Sequence, residues 1–236
     1  MKRNILIGTL VLAAGALLAA DPKDEVTAAA KNLADKDNYS WKQTTENAGG
    51  GGFGGGASEG KAEKGGCIWV SMEGRDNTTI EAVRKGEKGA VKTQDGWQSL
   101  ADLAADQGAG RGRFMAMRFR NLKAPAAQIL DIVAKAKELK QEGNAFAGEL
   151  TEEGAKAQLA FGGRRGGANA PEISGAKASV KVWLKDGLLA KYELKVKGTV
   201  SFNGNDRDVD RTTTVEIKNI GSTKLEVPDE AKKKLE

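Results

Sequence analysis

Apolar and polar residues alternate most regularly over 178–219, and the rest of the chain is organised around this segment. Between Leu188 and Phe202 the even-numbered residues are mostly apolar, whereas the odd-numbered ones from Lys191 onward are polar. Such alternation indicates a long strand with one dry face and one wet face. Asp186-Gly187 before it supplies the positive-φ residues of a tight hairpin turn. The segment therefore predicts a three-stranded antiparallel meander.

Shorter patterned segments flank the meander, and turn residues separate them about every ten residues. Strands are predicted at 39–46, 66–74, 78–84, 90–93 and 145–150, and helices at 24–37, 99–106, 125–139, 152–159 and 228–235. Strands interrupted by helices indicate an α+β fold with one antiparallel sheet of eight or more strands.

The length of the strand at 188–202 has a geometric consequence. Fifteen residues at about 3.3 Å each span roughly 50 Å. Strands this long twist and coil, so the sheet should wrap into an open or closed barrel with a concave apolar face. We expect the N-terminal helix and the helix at 125–139 to cover that face.

The first 20 residues have the layout of a secretory signal peptide. Lys2 and Arg3 precede an apolar run from Ile5 to Leu18, and small residues lead to Ala20. We expect cleavage after Ala20, which leaves residues 21–236 as one soluble domain in the periplasm or the medium. An uncleaved anchor is the alternative, although the run is shorter than the roughly 20 residues of a spanning helix.

The net charge indicates no particular partner, and the cysteine count excludes an intramolecular disulfide. Without Lys2 and Arg3 the chain has 35 basic and 32 acidic side chains, a net charge of +3, which indicates neither a nucleic acid nor an anionic membrane as partner. Cys67 is the single cysteine, so no intramolecular disulfide forms.

The residues that common catalytic sites require are missing. The chain contains no histidine, so neither a Ser-His or Cys-His nucleophile nor a Cys/His zinc site can be assembled. Gly56-Ala57-Ser58-Glu59-Gly60 fits the pattern of a nucleophile elbow but lacks a base. We therefore predict no enzyme activity, catalytic residue, metal or cofactor.

Glycine-rich segments near 47–65, 107–113 and 162–175 are predicted to be disordered loops, because ordering glycine costs the most backbone entropy. Two of them carry arginine, at 110–113 and 163–166, and look like short RGG-type nucleic-acid segments. With so few repeats, solvated loops are the preferred interpretation.

The order of elements, Asp95-Gly96-Trp97 after a short strand, and the segment from Val182 to Tyr192 with its Asp-Gly turn resemble the LolA/LppX-like lipoprotein-carrier superfamily. These are periplasmic carriers and lipid-binding lipoproteins. The resemblance implies a strongly curved, unclosed antiparallel half-barrel whose helices plug the concave face and leave an apolar cavity for acyl chains. In the carriers a buried arginine helps hold the lid shut, and we match no arginine of this chain to it.

The resulting hypothesis is an exported monomer that binds a lipid or a lipid-modified protein and contacts the membrane or envelope proteins transiently. Nine dry-face residues are predicted to line the cavity: Val182, Leu184, Tyr192, Leu194, Val196, Val200, Phe202, Val215 and Ile217. Two alternatives remain open. These side chains can pack on the helices without leaving a cavity, or the protein can be a structural or interaction module of the envelope.

Overall fold

A computed structural model describes residues 21–48, 56–74, 78–105, 110–160, 171–202 and 204–236. The predicted signal peptide lies outside these residues, as do 49–55, 107–109 and 162–170 of the predicted loops.

The described part contains eleven strands and six helices. The strands are β1 (Asn38–Asn47), β2 (Gly56–Glu63), β3 (Cys67–Glu73), β4 (Thr79–Lys85), β5 (Lys88–Thr93), β6 (Gly96–Ser99), β7 (Lys140–Glu142), β8 (Ala145–Glu149), β9 (Glu172–Lys185), β10 (Leu188–Phe202) and β11 (Asn205–Lys218). The helices are α1 (Pro22–Ala34), α2 (Leu100–Ala105), α3 (Gly110–Arg120), α4 (Pro125–Ala134), α5 (Glu152–Leu159) and α6 (Asp229–Lys233).

All eleven strands form one antiparallel sheet in the order β6-β5-β4-β3-β2-β1-β11-β10-β9-β8-β7. Neighbours in space are neighbours in sequence except for β1 and β11, which pair from Ser40 with Lys218 to Asn47 with Arg211. This pairing brings the N-terminal strands against the meander. The sheet does not close on itself, which confirms the predicted α+β half-barrel.

The central meander forms where its pattern predicts, with shifts in the β9–β10 register between Leu189 and Lys191 and between Lys197 and Thr199. Asp186 and Gly187 have φ values of 53° and 70° and turn β9 into β10. Tyr192 pairs with Val182 on one side and Val215 on the other, so large apolar side chains stand in rows across the concave face.

Helices cover the two faces unequally. The main core lies on the concave side, where α1 and α5 contact β9 and β10, α1 packs on α4, and α2 and α3 cover β5. On the convex side α6 contributes Ala231 to a smaller cluster with Val83, Ala90 and Trp97.

Three elements occupy ranges that were predicted as flexible loops. Strand β2 pairs along its whole length with β1, and from Ser58 to Glu63 with β3, so tertiary pairing overrides its glycine content. Gly60 of β2 lies under the ring of Trp41, where a Cβ would overlap the ring. Helix α3 begins at Gly110 and β9 begins at Glu172, so the loop predictions were wrong for these residues.

The helix predicted to reach Leu139 ends earlier, at Ala134. Beyond it Ala136 forms a bridge with Leu150, and the Lys137 amide donates to the Glu149 carbonyl at 2.8 Å. The chain thus leaves the helix to run beside β8, which the apolar spacing of 125–139 did not reveal.

Candidate functional site

The candidate site is the interior between the concave face of the sheet and helices α1, α4 and α5. Of the nine residues predicted to line a cavity, five are fully or almost fully buried in the main core: Val182, Tyr192, Leu194, Val196 and Val215. Three are partly buried against that core: Leu184, Val200 and Ile217. Phe202 ends β10, and its side chain lies outside the described part. The dry face thus brings eight of the nine together.

Helix α4 is attached to this face by two tyrosines. The hydroxyl of Tyr192 donates a hydrogen bond of 2.6 Å to Oε1 of Gln128, and Tyr39 is hydrogen-bonded to the backbone of Ala126. Both tyrosines are at most 3% exposed. Each hydrogen bond gives a buried phenol a partner on α4. The helix therefore has a defined position on an otherwise apolar surface.

Burial makes both phenols hard to ionise. Desolvation raises the pKa of Tyr39 to about 12 despite the hydrogen bond from Ala126. Desolvation also raises the pKa of Tyr192, and a Coulombic interaction with the nearby Tyr39 raises it further. The folded protein therefore holds two neutral phenols at any pH near neutrality.

This burial predicts a loss of stability at alkaline pH. The pKa of Tyr39 is raised on folding, so its contribution is complete below the unfolded value of about 10 and is lost as the pH rises through about 12. We expect Tyr39→Phe to reduce the pH dependence of the unfolding free energy in that window by about 1.4 kcal/mol per pH unit. Urea unfolding of the wild type and the variant at several pH values measures it. An unchanged slope would contradict the buried neutral phenol.

Helix α1 is attached at both ends. Near its start Lys23 Nζ donates to the carbonyl of Ala136 at 2.8 Å, just beyond α4. Near its end Asn32 donates to the carbonyl of Gly187 at 3.2 Å, in the β9–β10 turn. Between these contacts its buried face is apolar, with Val26 and Leu33 both at 0% exposure. The helix thus lies across the concave face as an apolar cover with polar ends.

Helix α5 is held by an arginine on the concave face of β11. Nη2 of Arg211 donates to the carbonyl of Gln158 at 2.6 Å, and burial lowers the pKa of Arg211. The next residue, Leu159, packs on Gly198 of β10 so closely that a Cβ at 198 would come within 2.6 Å of its Cδ1. The hydrogen bond from the charged Arg211 and a close apolar contact therefore hold the end of α5 to the sheet.

Arg211 was missed in the sequence although a signal for it exists. It shares odd-numbered parity with Val209 and Val215, and Val196 is its pairing partner, so the alternation places it on the dry face. A positive charge there requires acceptors, and α5 supplies one.

Polar residues interrupt the dry face toward β1. Thr213 pairs with Leu194 on one side and Thr45 on the other, and the two threonine hydroxyls lie 3.3 Å apart. The interior is thus apolar along β9 and β10 and becomes polar where β11 meets β1.

Pockets also open on the surface of the described part, and one of them borders the core residues Leu150 and Ala178. Three have volumes of about 960, 520 and 280 Å³. Cys67 and Leu235 line the first, Lys177 and Lys195 the second, and Gly187 the third. None of the nine predicted residues lines any of these three pockets.

The described ranges contain neither a metal-binding cluster nor a helix that could span a membrane. No cluster of three or more aspartate, glutamate, cysteine or histidine side chains is placed to hold a metal ion there. None of the helices in those ranges combines the length and apolar character needed to cross a membrane.

No protein-family model and no curated protein sequence matches the chain. Several solved structures resemble it. The lipoprotein LppX of Mycobacterium tuberculosis is 9% identical with a TM-score of 0.46, over 88% of this chain and 98% of LppX. LprF of Mycobacterium bovis is 10% identical with a TM-score of 0.46, over 89% and 97% of the two chains.

A LolA superfamily protein of Nitrosomonas europaea is 10% identical with a TM-score of 0.36, over 89% of this chain and 96% of its own. The superfamily that the sequence resembles is therefore represented among these structures. At such identities the likeness concerns the fold alone.

Proposed function

We propose that this protein binds a lipid, or the acyl chain of a lipid-modified protein, between the concave face of the sheet and helices α1, α4 and α5. One observation supports it above the others: the apolar face of β9, β10 and β11 is covered by helices that a small number of polar contacts attach to it. Burying an acyl chain contributes about 0.8 kcal/mol per methylene, so affinity requires no catalytic group, cofactor or metal.

Entry of the cargo requires the helices to move away from the sheet. The contacts between α4 and Tyr192 and between α5 and Arg211 break in that step, and the acyl chain replaces the apolar contacts that the helices lose. The hydrogen bonds fix the closed position of the helices, whereas apolar contacts can form with ligands of many shapes. Such a cover suits a ligand without fixed geometry.

The proposed setting is the cell envelope. After removal of residues 1–20, the chain acts as a monomeric domain in the periplasm or the medium and transfers its cargo between envelope components. Donor and acceptor contacts are transient in this proposal.

A second candidate function is that of a structural or interaction module with a filled core. Val182, Val196 and Val215 are 0% exposed, which is what packing of the helices on the sheet produces with no cargo at all.

Gentle purification followed by native mass spectrometry and lipid extraction separates the two candidates. We expect a bound lipid, or displacement of an added fluorescent fatty acid by unlabelled lipid. A protein of bare polypeptide mass that neither takes up nor releases the fatty acid supports the filled core instead.

Leu194→Lys tests the assignment of the dry face. Leu194 is 7% exposed and lies in the row that ends at Thr213 and Thr45. A lysine there brings a charge to the apolar surface, so we expect fatty-acid affinity to fall about tenfold or more. Lys195→Ala, one residue away on the opposite face, is the matched control and should bind normally. Circular dichroism verifies folding. A folded Leu194→Lys protein with normal affinity would show that this face does not hold the ligand.

A further inference from the structure

Helix α3 has an inner face and an outer face of different character. Ala116 and Phe119 are buried at 1% and 2% exposure, and the helix packs on α2, β4 and β5. Helical spacing of 100° per residue places Phe114 and Met117 next to each other on the opposite side. Of the large apolar side chains that the structure describes, Phe114 alone is exposed, at 44%.

Arginines flank this apolar pair. The same helical spacing places Arg113 on one side of it and Arg118 on the other, and both are exposed. The Arg118 guanidinium also lies 5.9 Å from the centroid of the Phe119 ring, and partial burial lowers its pKa. Gly110–Arg120 contains four arginines and no acidic residue. The ion pairs found in the described part include none from this helix. A chain whose net charge is small therefore concentrates four positive charges on eleven residues.

The helix is held firmly enough to present this face. Directly after it, the carbonyl of Leu122 accepts a hydrogen bond from Nη1 of Arg84 in β4, whose Nε donates to the carbonyl of Gly86 at 2.9 Å. Phe119 and Ala116 anchor the other side in the core. These contacts fix the orientation of α3, with its outer face directed away from the core.

We propose that the outer face of α3 docks on the surface of an anionic phospholipid bilayer. An apolar stripe bordered by arginines is the pattern of a helix that lies in the plane of a membrane interface. Phe114 and Met117 enter the boundary of the acyl chains, and the guanidinium groups contact lipid phosphates, which they can bind with two hydrogen bonds each.

The features of α3 favour a bilayer over a nucleic acid. Its glycine-arginine start resembles an RGG segment in sequence, but residues from Gly110 onward are helical and therefore do not form an extended chain along a nucleic-acid backbone. One exposed aromatic ring without further rings in line offers no series of stacking positions. Attraction to an anionic surface needs only the charge density that the helix has.

This inference does not depend on the proposed lipid cargo, because it concerns the outer face of α3, which is not among the helices proposed to enclose the cargo, and it requires no cavity. A protein with a filled core can dock on a membrane in the same way.

Co-sedimentation with vesicles tests the proposal. The purified protein is mixed with vesicles of phosphatidylcholine alone and with vesicles of phosphatidylcholine and phosphatidylglycerol in equal parts. We expect binding to the anionic vesicles at low salt, its loss at high salt, and much weaker binding to the neutral ones. An apolar anchor elsewhere in the chain would bind both kinds, so equal binding to both overturns the proposal, as does binding to neither.

Three variants locate the contact. Arg113→Glu should lower affinity for the anionic vesicles about tenfold or more, and Phe114→Ser about tenfold through loss of apolar insertion. Lys195→Glu makes the same change of charge on an exposed residue of β10 and is the matched control, with little expected effect. Equal losses from Arg113→Glu and Lys195→Glu would indicate attraction by net charge and overturn the role of α3, as would unchanged binding by folded Phe114→Ser. Tight binding of single-stranded RNA by protein that ignores anionic vesicles also overturns it.

Discussion

Tyr192→Ala is expected to lower the free energy of unfolding by about 4 kcal/mol, the range found for removing a buried aromatic ring. Tyr192 is 1% exposed, stands between Val182 and Val215 in the central row, and is the contact through which β10 holds α4. Its removal leaves a cavity at the junction of sheet and helix and an unpaired Gln128 side chain. Urea denaturation measures the change.

Tyr192→Phe is the matched control for that variant. It keeps the ring and removes the hydroxyl that donates to Gln128, so we expect a loss of about 1 kcal/mol. The difference between the two substitutions assigns most of the stabilisation to packing. Similar losses from both would show that the hydrogen bond, rather than the ring, holds α4 on the sheet.

Gly148→Ala is expected to destabilise the fold by about 3 kcal/mol, a large effect for one methyl group. A Cβ on Gly148 of β8 would overlap the carbonyl oxygen of Glu138 and come within 2.9 Å of Leu139 Cδ2. The oxygen belongs to the backbone, so the chain between α4 and β7 must shift away from the sheet. Thermal unfolding followed by circular dichroism detects the loss.

Gly110→Ala is the control for this second prediction. A Cβ there meets no heavy atom within 4 Å, and alanine favours the helix that begins at this residue. Stability should stay the same or rise slightly. A neutral Gly148→Ala variant would mean that the crossing of 138–139 over β8 is looser than its geometry indicates.

The sequence predicted the meander well because its signals are local. Alternation assigns most residues of β9 to β11 to a face, and Asp186-Gly187 forms the turn. It fails at the register shift after the turn, where the odd-numbered Leu189 is buried instead of Leu188. Eight of the nine predicted dry-face residues nevertheless stand together on the concave side. Whether they line a cavity for a lipid stays a prediction, since alternation identifies a face and not what covers it.

Elements that depend on distant partners were not predictable in this way. Strand β2 has little intrinsic strand propensity and is stabilised by its hydrogen bonds to β1 and β3. Its Gly60 leaves room for the ring of Trp41. Helix α3 starts with glycine and arginine and is stabilised by Phe119 in the core. Residues 135–139 continue an apolar spacing that suits a helix, yet Ala136 forms a bridge with Leu150 and Lys137 bonds to Glu149 of β8 instead.

Arg211 shows a third limit. Its odd residue number places it on the dry face of β11. A polar residue at such a position is nevertheless easily interpreted as an irregularity of the pattern until its acceptor is known. The Gln158 carbonyl lies 53 residues away in sequence, and no local pattern connects the two.

The edges of the sheet determine how its interior can adapt. In the described part the order of strands ends at β6 and β7, which are not joined. A closed barrel has a circumference set by its strand number and stagger, whereas here small rotations between neighbouring strands change the radius of curvature and leave every ladder hydrogen bond intact. The curvature of this sheet is therefore easier to change than its strand pairing. Under the proposed function, the same strand pairings hold lipids of different size.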